Sequence, residues 1–241
     1  MSGVLTVIPA RMGSTRFPGK VLARLQGRTM VEWCWRAAKA AKLGPVLVAT
    51  DNRIVADEVR RFGGNAVMTP VSCPSGSDRV WLAAKSHREA VIVNYQGDMP
   101  LIKPATLRAA VKALTKGTDI ATAVIPLTDS KRRQDPNVVK AVLAKDGRCL
   151  YFSRSAVPFG RDGASVRSWE HLGIYVFRRN VLQRFVSLPP SPLEKAEKLE
   201  QLRALEDGMT LRAAVVAERP VAVDVPADLR RAETLIRRGH S

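Results

Sequence analysis

Cysteine and long apolar runs are scarce in this sequence, and each scarcity excludes a class of protein. The three cysteines, Cys34, Cys73 and Cys149, are odd in number and lack C-x-x-C spacing, so neither a disulfide framework nor a zinc site is indicated. No run of about 18 apolar residues is present, and the first ten residues lack the pattern of a signal peptide. We therefore expect a cytoplasmic protein with free thiols and no membrane partner.

Acidic and aromatic residues are also few. The chain has 22 Asp and Glu against 39 Lys and Arg, which gives a formal net charge of +17, and its aromatic content is 5%. Such a charge makes nucleic acid a partner that must be weighed. The basic residues are spread along the chain, however, and no basic stripe is interleaved with stacking aromatics. We expect no nucleic-acid partner and interpret the charge as a solvated surface suited to a polyanionic small substrate; a basic nucleic-acid-binding protein stays the alternative from another class.

The loop after the first apolar run, residues 4–8, combines small residues with cations. It contains Gly13, Gly19, Arg11, Arg16 and Lys20. Glycines allow a ligand to approach the backbone, and cations supply donors for phosphate oxygens, so the loop indicates a nucleotide triphosphate site. It is not a Walker A motif, because five residues separate Gly13 from Gly19 and Val21 stands where that motif needs Ser or Thr. A solvated basic loop is the alternative interpretation.

Short apolar runs alternate with amphipathic stretches along the chain. Strands are predicted at 4–8, 46–49, 66–68, 91–93, 120–125 and 211–216, and helices at 30–42, up to 62, at 77–85, at 104–114 and from 226. This pattern predicts an α/β fold with a doubly wound, mostly parallel, Rossmann-like sheet whose ligands lie beyond the strand ends. We expect one domain over residues 1–241, with a core at about 1–130 and 210–241 and a smaller lobe at about 131–209.

Two further segments have local signatures. Residues 138–152 predict a hairpin with its turn at Lys145-Asp-Gly147, which breaks the strand–helix rhythm and begins the smaller lobe. Ser191-Pro-Leu-Glu194 has the composition of a capping box and predicts a helix that continues to Gly208.

Asp98 and Asp224 are candidate metal ligands. Each follows an apolar run that predicts sheet, so both can converge at one sheet edge, where oxygen ligands suit Mg²⁺ and a triphosphate. Taken alone, each aspartate could equally cap a helix or finish a turn.

The N-terminal segments Pro9-Ala-Arg11, Ser14-Thr-Arg16 and Pro18-Gly-Lys20 resemble the corresponding loop of the 3-deoxy-manno-octulosonate (Kdo) cytidylyltransferase family. Later segments resemble the same family in the same order, to about Leu235. The resemblance implies a nucleotide-sugar transferase fold and a Mg²⁺-dependent transfer of the cytidylyl group of CTP to the anomeric hydroxyl of Kdo. Pyrophosphate would be released, the CMP-sugar would serve lipopolysaccharide biosynthesis, and the protein would be a homodimer with its sugar-binding and dimerisation residues in the smaller lobe.

The resemblance also implies roles for individual residues. The catalytic set is Arg11, Lys20, Asp98 and Asp224, of which Asp98 and Asp224 would hold Mg²⁺. The CTP-binding set is Pro9, Ala10, Arg11, Ser14, Lys20, Ser75, Gly76 and Arg79. The sugar-binding set is Arg16, Gln96, Arg154, Arg161, His171, Tyr175, Glu200 and Gln201. Without the family, His171 is equally a structural histidine, Glu200 a solvated helix residue, and Arg79 a surface residue at a helix N-terminus.

The sequence departs from the family pattern at two positions. Met99 stands where the family usually has Glu, which affects either metal tuning or sugar choice, and Val225 replaces a Thr that would cap the last helix. Two segments, Tyr151 to Ser155 and Pro158 to Asp162, resemble a branch of the family that uses an 8-amino form of Kdo. The acidic sugar is therefore left open among Kdo, 8-amino-Kdo and another 2-keto acid sugar, such as a sialic-acid-like one.

Overall fold

Buried strands and amphipathic helices alternate through residues 3–13, 17–164 and 166–237, which are the residues that the computed structural model describes. The strands are β1 Val4–Pro9, β2 Arg24–Leu25, β3 Arg28–Thr29, β4 Val46–Thr50, β5 Asn65–Met68, β6 Val91–Asn94, β7 Ile120–Pro126, β8 Lys140–Leu143, β9 Cys149–Ser153, β10 Trp169–Arg178 and β11 Leu211–Val215. The helices are α1 Met30–Ala40, α2 Arg53–Arg61, α3 Gly76–Ala84, α4 Pro104–Lys112, α5 Ser130–Gln134, α6 Arg179–Ser187, α7 Pro192–Glu197, α8 Gln201–Glu206 and α9 Pro226–Arg237. Short 3₁₀ turns lie at Lys20–Leu22 and Arg161–Gly163.

The chain divides into two compact units. The first comprises Met1–Arg108 and Arg219–Ser241, and the second comprises Ala109–Glu218. These units are defined by packing, whereas the lobes expected from the sequence are defined by function. The assignment of a nucleotide core and a sugar lobe therefore stays a prediction.

The first unit is built on four parallel strands in the order β6, β1, β4, β5. All five residues of β4 are buried, as are the four central residues of β1. Strands buried on both faces need continuous apolar runs, which is why the sequence pattern located them. Helices α1, α2 and α3 pack against these strands.

Polar side chains fix where two helices of this unit begin. The Asn52 side chain accepts the Ile54 amide at 2.9 Å at the start of α2, and Ser75 Oγ accepts the Asp78 amide at 3.2 Å at the start of α3. Each bond satisfies a backbone N–H that the first helical turn leaves without a partner. Ser75 and Gly76 therefore lie at the positive end of the α3 dipole.

The second unit has a mixed sheet. Strand β7 pairs in parallel with β11 and antiparallel with β10, while β8 pairs antiparallel with β10 and β9. The predicted hairpin is confirmed as β8 and β9. Strand β10, which the sequence did not predict, shifts register between His171 and Tyr175, where Gly173 has φ 68°. A side chain at that φ would be strained, so the glycine permits the bulge.

The predicted α/β class with a mostly parallel sheet is confirmed, but the single helix predicted from residue 191 to Gly208 was wrong. The capping box of Ser191 and Glu194 is present, yet α7 ends at Glu197 because Lys198 is left-handed, with φ 54°. The Glu197 carbonyl accepts Arg154 Nε at 2.7 Å instead of continuing the helix. Within the described part of the chain, no helix is both long enough and apolar enough to cross a membrane.

Candidate active site

A cleft of about 410 Å³ opens in the first unit beyond the carboxyl ends of β1 and β6. The residues that line it come from the N-terminal loop, the start of α3, the segment after β6 and the segment before α9: Pro9, Arg11, Gly13, Lys20, Val21, Cys73, Pro74, Ser75, Gly76, Arg79, Gln96, Gly97, Asp98 and Asp224. Its position agrees with the rule that ligands of parallel α/β sheets bind beyond the strand ends. The cleft thus brings together most residues that the sequence assigned to catalysis and to CTP.

Lys20 joins the two candidate metal carboxylates. Its Nζ lies 3.0 Å from Asp98 Oδ2 and 3.2 Å from Asp224 Oδ1, and it also donates to the Val223 carbonyl at 3.3 Å. The Lys20 side chain is 15% exposed, so the charges meet in a partly desolvated place where electrostatic interactions are stronger than in bulk water. Residues 98 and 224, far apart in sequence, therefore face one another across a single ammonium group.

The backbone fixes Asp98 in the wall of the cleft. The Val223 amide donates to the Asp98 carbonyl at 2.8 Å, so the two aspartate segments are bonded to each other through main-chain atoms. Gly97 passes so close to β1 that a Cβ there would lie 3.0 Å from the Pro9 carbonyl oxygen. A larger residue at 97 would displace the loop that carries Asp98.

Asp224 reaches the cleft by a route that differs from the predicted one. Residues 221–223 are not a strand; instead Val223 is fully buried in an apolar cluster with Leu25, Met30 and Ala232. Packing of α9 onto this cluster positions the aspartate. The cap lost at Val225 is replaced, because the Asp228 side chain accepts the amides of Asp224 and Val225 at 3.0 Å each.

Three of the residues assigned to CTP, Ser75, Gly76 and Arg79, lie at the start of α3. Ser75 caps the helix, as described above, while Arg79 is buried and its guanidinium donates to Asp51 Oδ2 at 2.9 Å and to Thr69 Oγ1. Arg79 is therefore not a surface residue. Its ion pair with Asp51 holds it in the wall of the cleft, and Asp51 also accepts the Met12 amide at 3.3 Å.

The remaining residues of the first unit that were assigned to CTP or to the sugar differ in whether they line the cleft. Gln96, predicted to bind the sugar, lines the cleft and donates to Asn94 Oδ1 at 3.1 Å. Ala10 is fully buried and donates its amide to the Ala49 carbonyl at 2.8 Å. Ser14 and Arg16 lie outside the described residues.

A buried polar cluster in the second unit contains three of the residues assigned to the sugar. Tyr175 donates its hydroxyl to Gln201 Oε1 at 2.9 Å, and His171 Nε2 lies 2.8 Å from Thr122 Oγ1. Thr122 donates its hydroxyl proton to the Ile174 carbonyl at 2.6 Å, so it must accept from His171, which places the imidazole proton on Nε2. Within the described ranges, the buried Gln201 Nε2 has no hydrogen-bond acceptor.

The other sugar-site assignments lie on different parts of the second unit. The Arg154 guanidinium donates to the carbonyls of Glu197 and Pro136 at 2.7 and 2.8 Å, which anchors the segment after β9. Arg161 is 89% exposed and pairs with Asp162 at 3.6 Å. Glu200 occupies the position before α8.

Met99 is only 5% exposed and does not line the cleft. A sugar-reading role for the side chain at position 99 would require it to face the pocket, so its burial favours a packing role in this chain.

The sequence did not identify Thr122, whose hydroxyl fixes the His171 tautomer. Asp51 could have been found from the sequence, because it is a carboxylate that directly follows the buried strand β4. Its pairing with Arg79 could not be predicted.

Burial makes His171 a source of pH-dependent stability. Desolvation lowers the pKa of His171 from 6.5 to about 3. The unfolded chain takes up this proton below pH 6.5 and the folded protein only near pH 3, so the stability is complete above 6.5 and is lost as the pH falls toward 3. Between pH 7.5 and pH 5 the expected loss is about 2 kcal/mol, measured by urea unfolding at both pH values.

His171→Asn should remove most of that pH dependence. His87→Asn, which changes a histidine on the first unit, is the matched control and should leave the dependence in place. An unaltered pH dependence in His171→Asn would contradict the assignment of a neutral buried imidazole.

Comparison with known proteins identifies the family. A family model described as Cytidylyltransferase matches residues 5–211. The 3-deoxy-manno-octulosonate cytidylyltransferase of Elusimicrobium minutum is 46% identical over 98% of this chain and 99% of its own length. The chain belongs to the 3-deoxy-manno-octulosonate cytidylyltransferase family. This cytidylyltransferase is therefore a nucleotidyltransferase enzyme, and the resemblance seen in the sequence is confirmed at the level of the family.

Further matches extend this result. The cytidylyltransferase of the same name from Methylobacterium radiotolerans is 48% identical over 98% of each chain. A solved structure of CMP:2-keto-3-deoxy-manno-octonic acid synthetase, complexed with CTP, is 35% identical with a TM-score of 0.95 and covers 99% of this chain and 100% of that one. A 4-diphosphocytidyl-2C-methyl-D-erythritol synthase from Anaerococcus prevotii, 12% identical with a TM-score of 0.64 over 98% of each chain, shares the fold alone.

Proposed function

We propose that this enzyme transfers the cytidylyl group of CTP to the anomeric hydroxyl of Kdo and releases pyrophosphate. The observation that carries the proposal is the convergence of Lys20, Asp98 and Asp224 in a cleft that Arg11 also lines. In such a transfer, negative charge develops on phosphate oxygens, so cations and a carboxylate-held metal contribute more than a reactive side chain. The same reaction would supply the activated sugar for lipopolysaccharide.

The nucleotide half of the proposal rests on the cleft. Arg11 and Lys20 supply positive charge, and α3 directs the positive end of its dipole from Gly76 toward the same space. These groups suit the triphosphate. The base would lie against Ser75, Gly76 and the fixed Arg79.

The proposed cofactor is Mg²⁺, held by Asp98 and Asp224. Within residues 3–13, 17–164 and 166–237, no group of three or more His, Cys, Asp or Glu is placed to hold a metal. Asp98 and Asp224 would hold Mg²⁺ together with substrate phosphates, as proteins commonly bind this ion through one or two carboxylates, and the bound ion would neutralise charge on the triphosphate. Lys20 keeps the two carboxylates close together and would lie beside the phosphates.

The acceptor half rests on the buried polar cluster of the second unit. Gln201 Nε2 is a buried donor without an acceptor among the described residues, and such a group suits a hydroxyl or carboxylate oxygen of a sugar acid. Tyr175 fixes the other end of this amide at 2.9 Å. The neutral imidazole of His171 suits a polyol better than a charged one would, because it adds no positive charge to be buried.

The proposal also covers the identity of the acceptor sugar and the oligomeric state. An 8-amino form of Kdo and another 2-keto acid sugar are the alternative acceptors, to be separated from Kdo by comparing kcat/KM for each. A homodimer is the proposed assembly, to be tested by sedimentation. It is supported by large apolar side chains that the second unit exposes: Leu150, Phe159, Leu193 and Val215.

Pyrophosphate release tests the proposed function. Turnover should require CTP and Kdo together and should stop when Mg²⁺ is chelated. Salt-sensitive binding to duplex DNA or RNA without such turnover would instead favour the nucleic-acid-binding alternative suggested by the charge of +17.

Base selection should favour CTP over UTP and over purine triphosphates. Cytosine presents an amino donor where uracil presents a carbonyl, and a wall of fixed groups rejects the reversed pattern because its own polar atoms lose their partners. In a competition assay we expect a preference of about 10²-fold or more. Arg79→Gln, which breaks the pair with Asp51, should reduce the preference, whereas exposed Arg88→Gln should not. Equal use of UTP and CTP by the unaltered enzyme would refute this base assignment.

A further inference from the structure

A buried tyrosine lies directly behind the loop that carries Asp98. Tyr95 is fully buried, and its hydroxyl donates to the Met99 carbonyl at 2.5 Å. Its own amide donates to the Val7 carbonyl at 3.1 Å, which extends the pairing of β6 with β1 by one residue. The backbone bond places Tyr95 at the end of β6, and full burial confines its ring.

The loop from Gln96 to Met99 is held at consecutive carbonyls. The Asp98 carbonyl accepts the Val223 amide at 2.8 Å, and the next carbonyl, that of Met99, accepts the Tyr95 hydroxyl. Met99 also accepts the Ile102 amide, at the longer distance of 3.4 Å. The bond from Ile102 is made by the backbone, whereas the shorter bond from Tyr95 is made by a side chain. A substitution at Tyr95 can therefore remove the shorter bond and keep the other.

These contacts surround Asp98, whose carboxylate must face Asp224 if the two are to share a metal ion. Asp98 points its Oδ2 at Lys20, 3.0 Å away, and the same ammonium is bonded to Asp224. A shift of the Met99 carbonyl would rotate the Met99–Pro100 peptide and, through the Met99 Cα, disturb the neighbouring Asp98 residue and move its carboxylate away from this meeting point. An approximately correct position is insufficient for a metal ligand, since outer contacts that orient ligands change metal affinity by about 10- to 100-fold.

We propose that Tyr95 is a positioning residue for the Asp98 carboxylate. Its hydroxyl fixes the Met99 carbonyl and so directs Asp98 toward Asp224 and the metal they would share. The inference rests on the proposed function, in which these two aspartates hold Mg²⁺.

Tyr95→Phe tests the inference, because it removes one oxygen and keeps the ring. Mn²⁺ binding is titrated by electron paramagnetic resonance in the presence of a CTP analogue whose α,β-bridging oxygen is replaced by methylene. We expect the variant to bind Mn²⁺ about tenfold more weakly than the unaltered enzyme. In the steady state, the Mg²⁺ concentration for half-maximal activity should rise by a similar factor, excess Mg²⁺ should restore kcat, and KM for the sugar should not change.

Val93→Ala is the control for a purely structural effect. Val93 is fully buried in β6, so its truncation lowers the melting temperature without touching the loop, and Mn²⁺ affinity should stay as in the unaltered enzyme. Equal Mn²⁺ affinity in Tyr95→Phe and the unaltered enzyme would overturn the role of Tyr95 and leave the metal assignment standing. Failure of the unaltered enzyme to bind Mn²⁺ with the analogue would overturn the metal assignment itself, and the inference with it.

Discussion

Asp98→Asn and Asp224→Asn should each lower Mg²⁺-dependent turnover by about 10²-fold or more. Each change keeps the shape of the side chain but removes one of the two negative charges that meet at Lys20. A metal bound by only two protein carboxylates depends strongly on both. Pyrophosphate release measured over a range of Mg²⁺ concentrations gives the effect, and the concentration for half-maximal activity should rise.

The matched control for these variants is Asp57→Asn. Asp57 is 70% exposed on α2 and pairs with Arg60, so the same change there should leave turnover unaltered. Circular dichroism should show the same fold in all three variants. Full Mg²⁺-dependent activity in both Asp98→Asn and Asp224→Asn would remove the metal site from the account.

Lys20→Ala and Arg11→Ala should also reduce the rate by about 10²-fold, for a different reason. In the proposed reaction their charges act on phosphate oxygens, where loss of a single preorganised contact is costly in the transition state. Lys20→Ala keeps both carboxylates, so the Mg²⁺ concentration for half-maximal activity should rise less than it does in the aspartate variants. The two classes of variant are thus separated by the Mg²⁺ concentration for half-maximal activity.

Exposed cations serve as controls for this pair. Lys39→Ala on α1 and Arg53→Ala on α2 remove the same charge from the same unit but away from the cleft. Both should retain normal kcat. Rates in Lys20→Ala and Arg11→Ala that match these controls would rule out a role of the N-terminal loop in phosphate binding.

The parts of the fold that the sequence predicted are those with local causes. Strands such as β4 are continuous apolar runs because both faces are covered, and α7 begins at a capping box contained in four residues. The same logic placed Asp98 at the cleft, since it follows a buried strand of a parallel sheet.

The errors arise from contacts between residues distant in sequence. The helix break at Lys198 depends on Arg154, whose guanidinium takes the Glu197 carbonyl 43 residues away. Asp224 is positioned because Val223 is buried against α9, and the sequence around Val223 has no strand or helix period that would predict this burial. Likewise the Arg79–Asp51 pair joins residues that no local spacing relates. Such contacts emerge only when the chain is packed.

The fate of the α-phosphorus decides whether the enzyme transfers the cytidylyl group of CTP. CTP labelled at the α-phosphorus or at the γ-phosphorus is incubated with Kdo, Mg²⁺ and the enzyme, and the products are separated. Cytidylyl transfer predicts that the α label appears in a CMP-sugar and the γ label in pyrophosphate, in equal amounts. Transfer of the γ label to the sugar, or release of pyrophosphate without any α-labelled sugar product, would contradict the account.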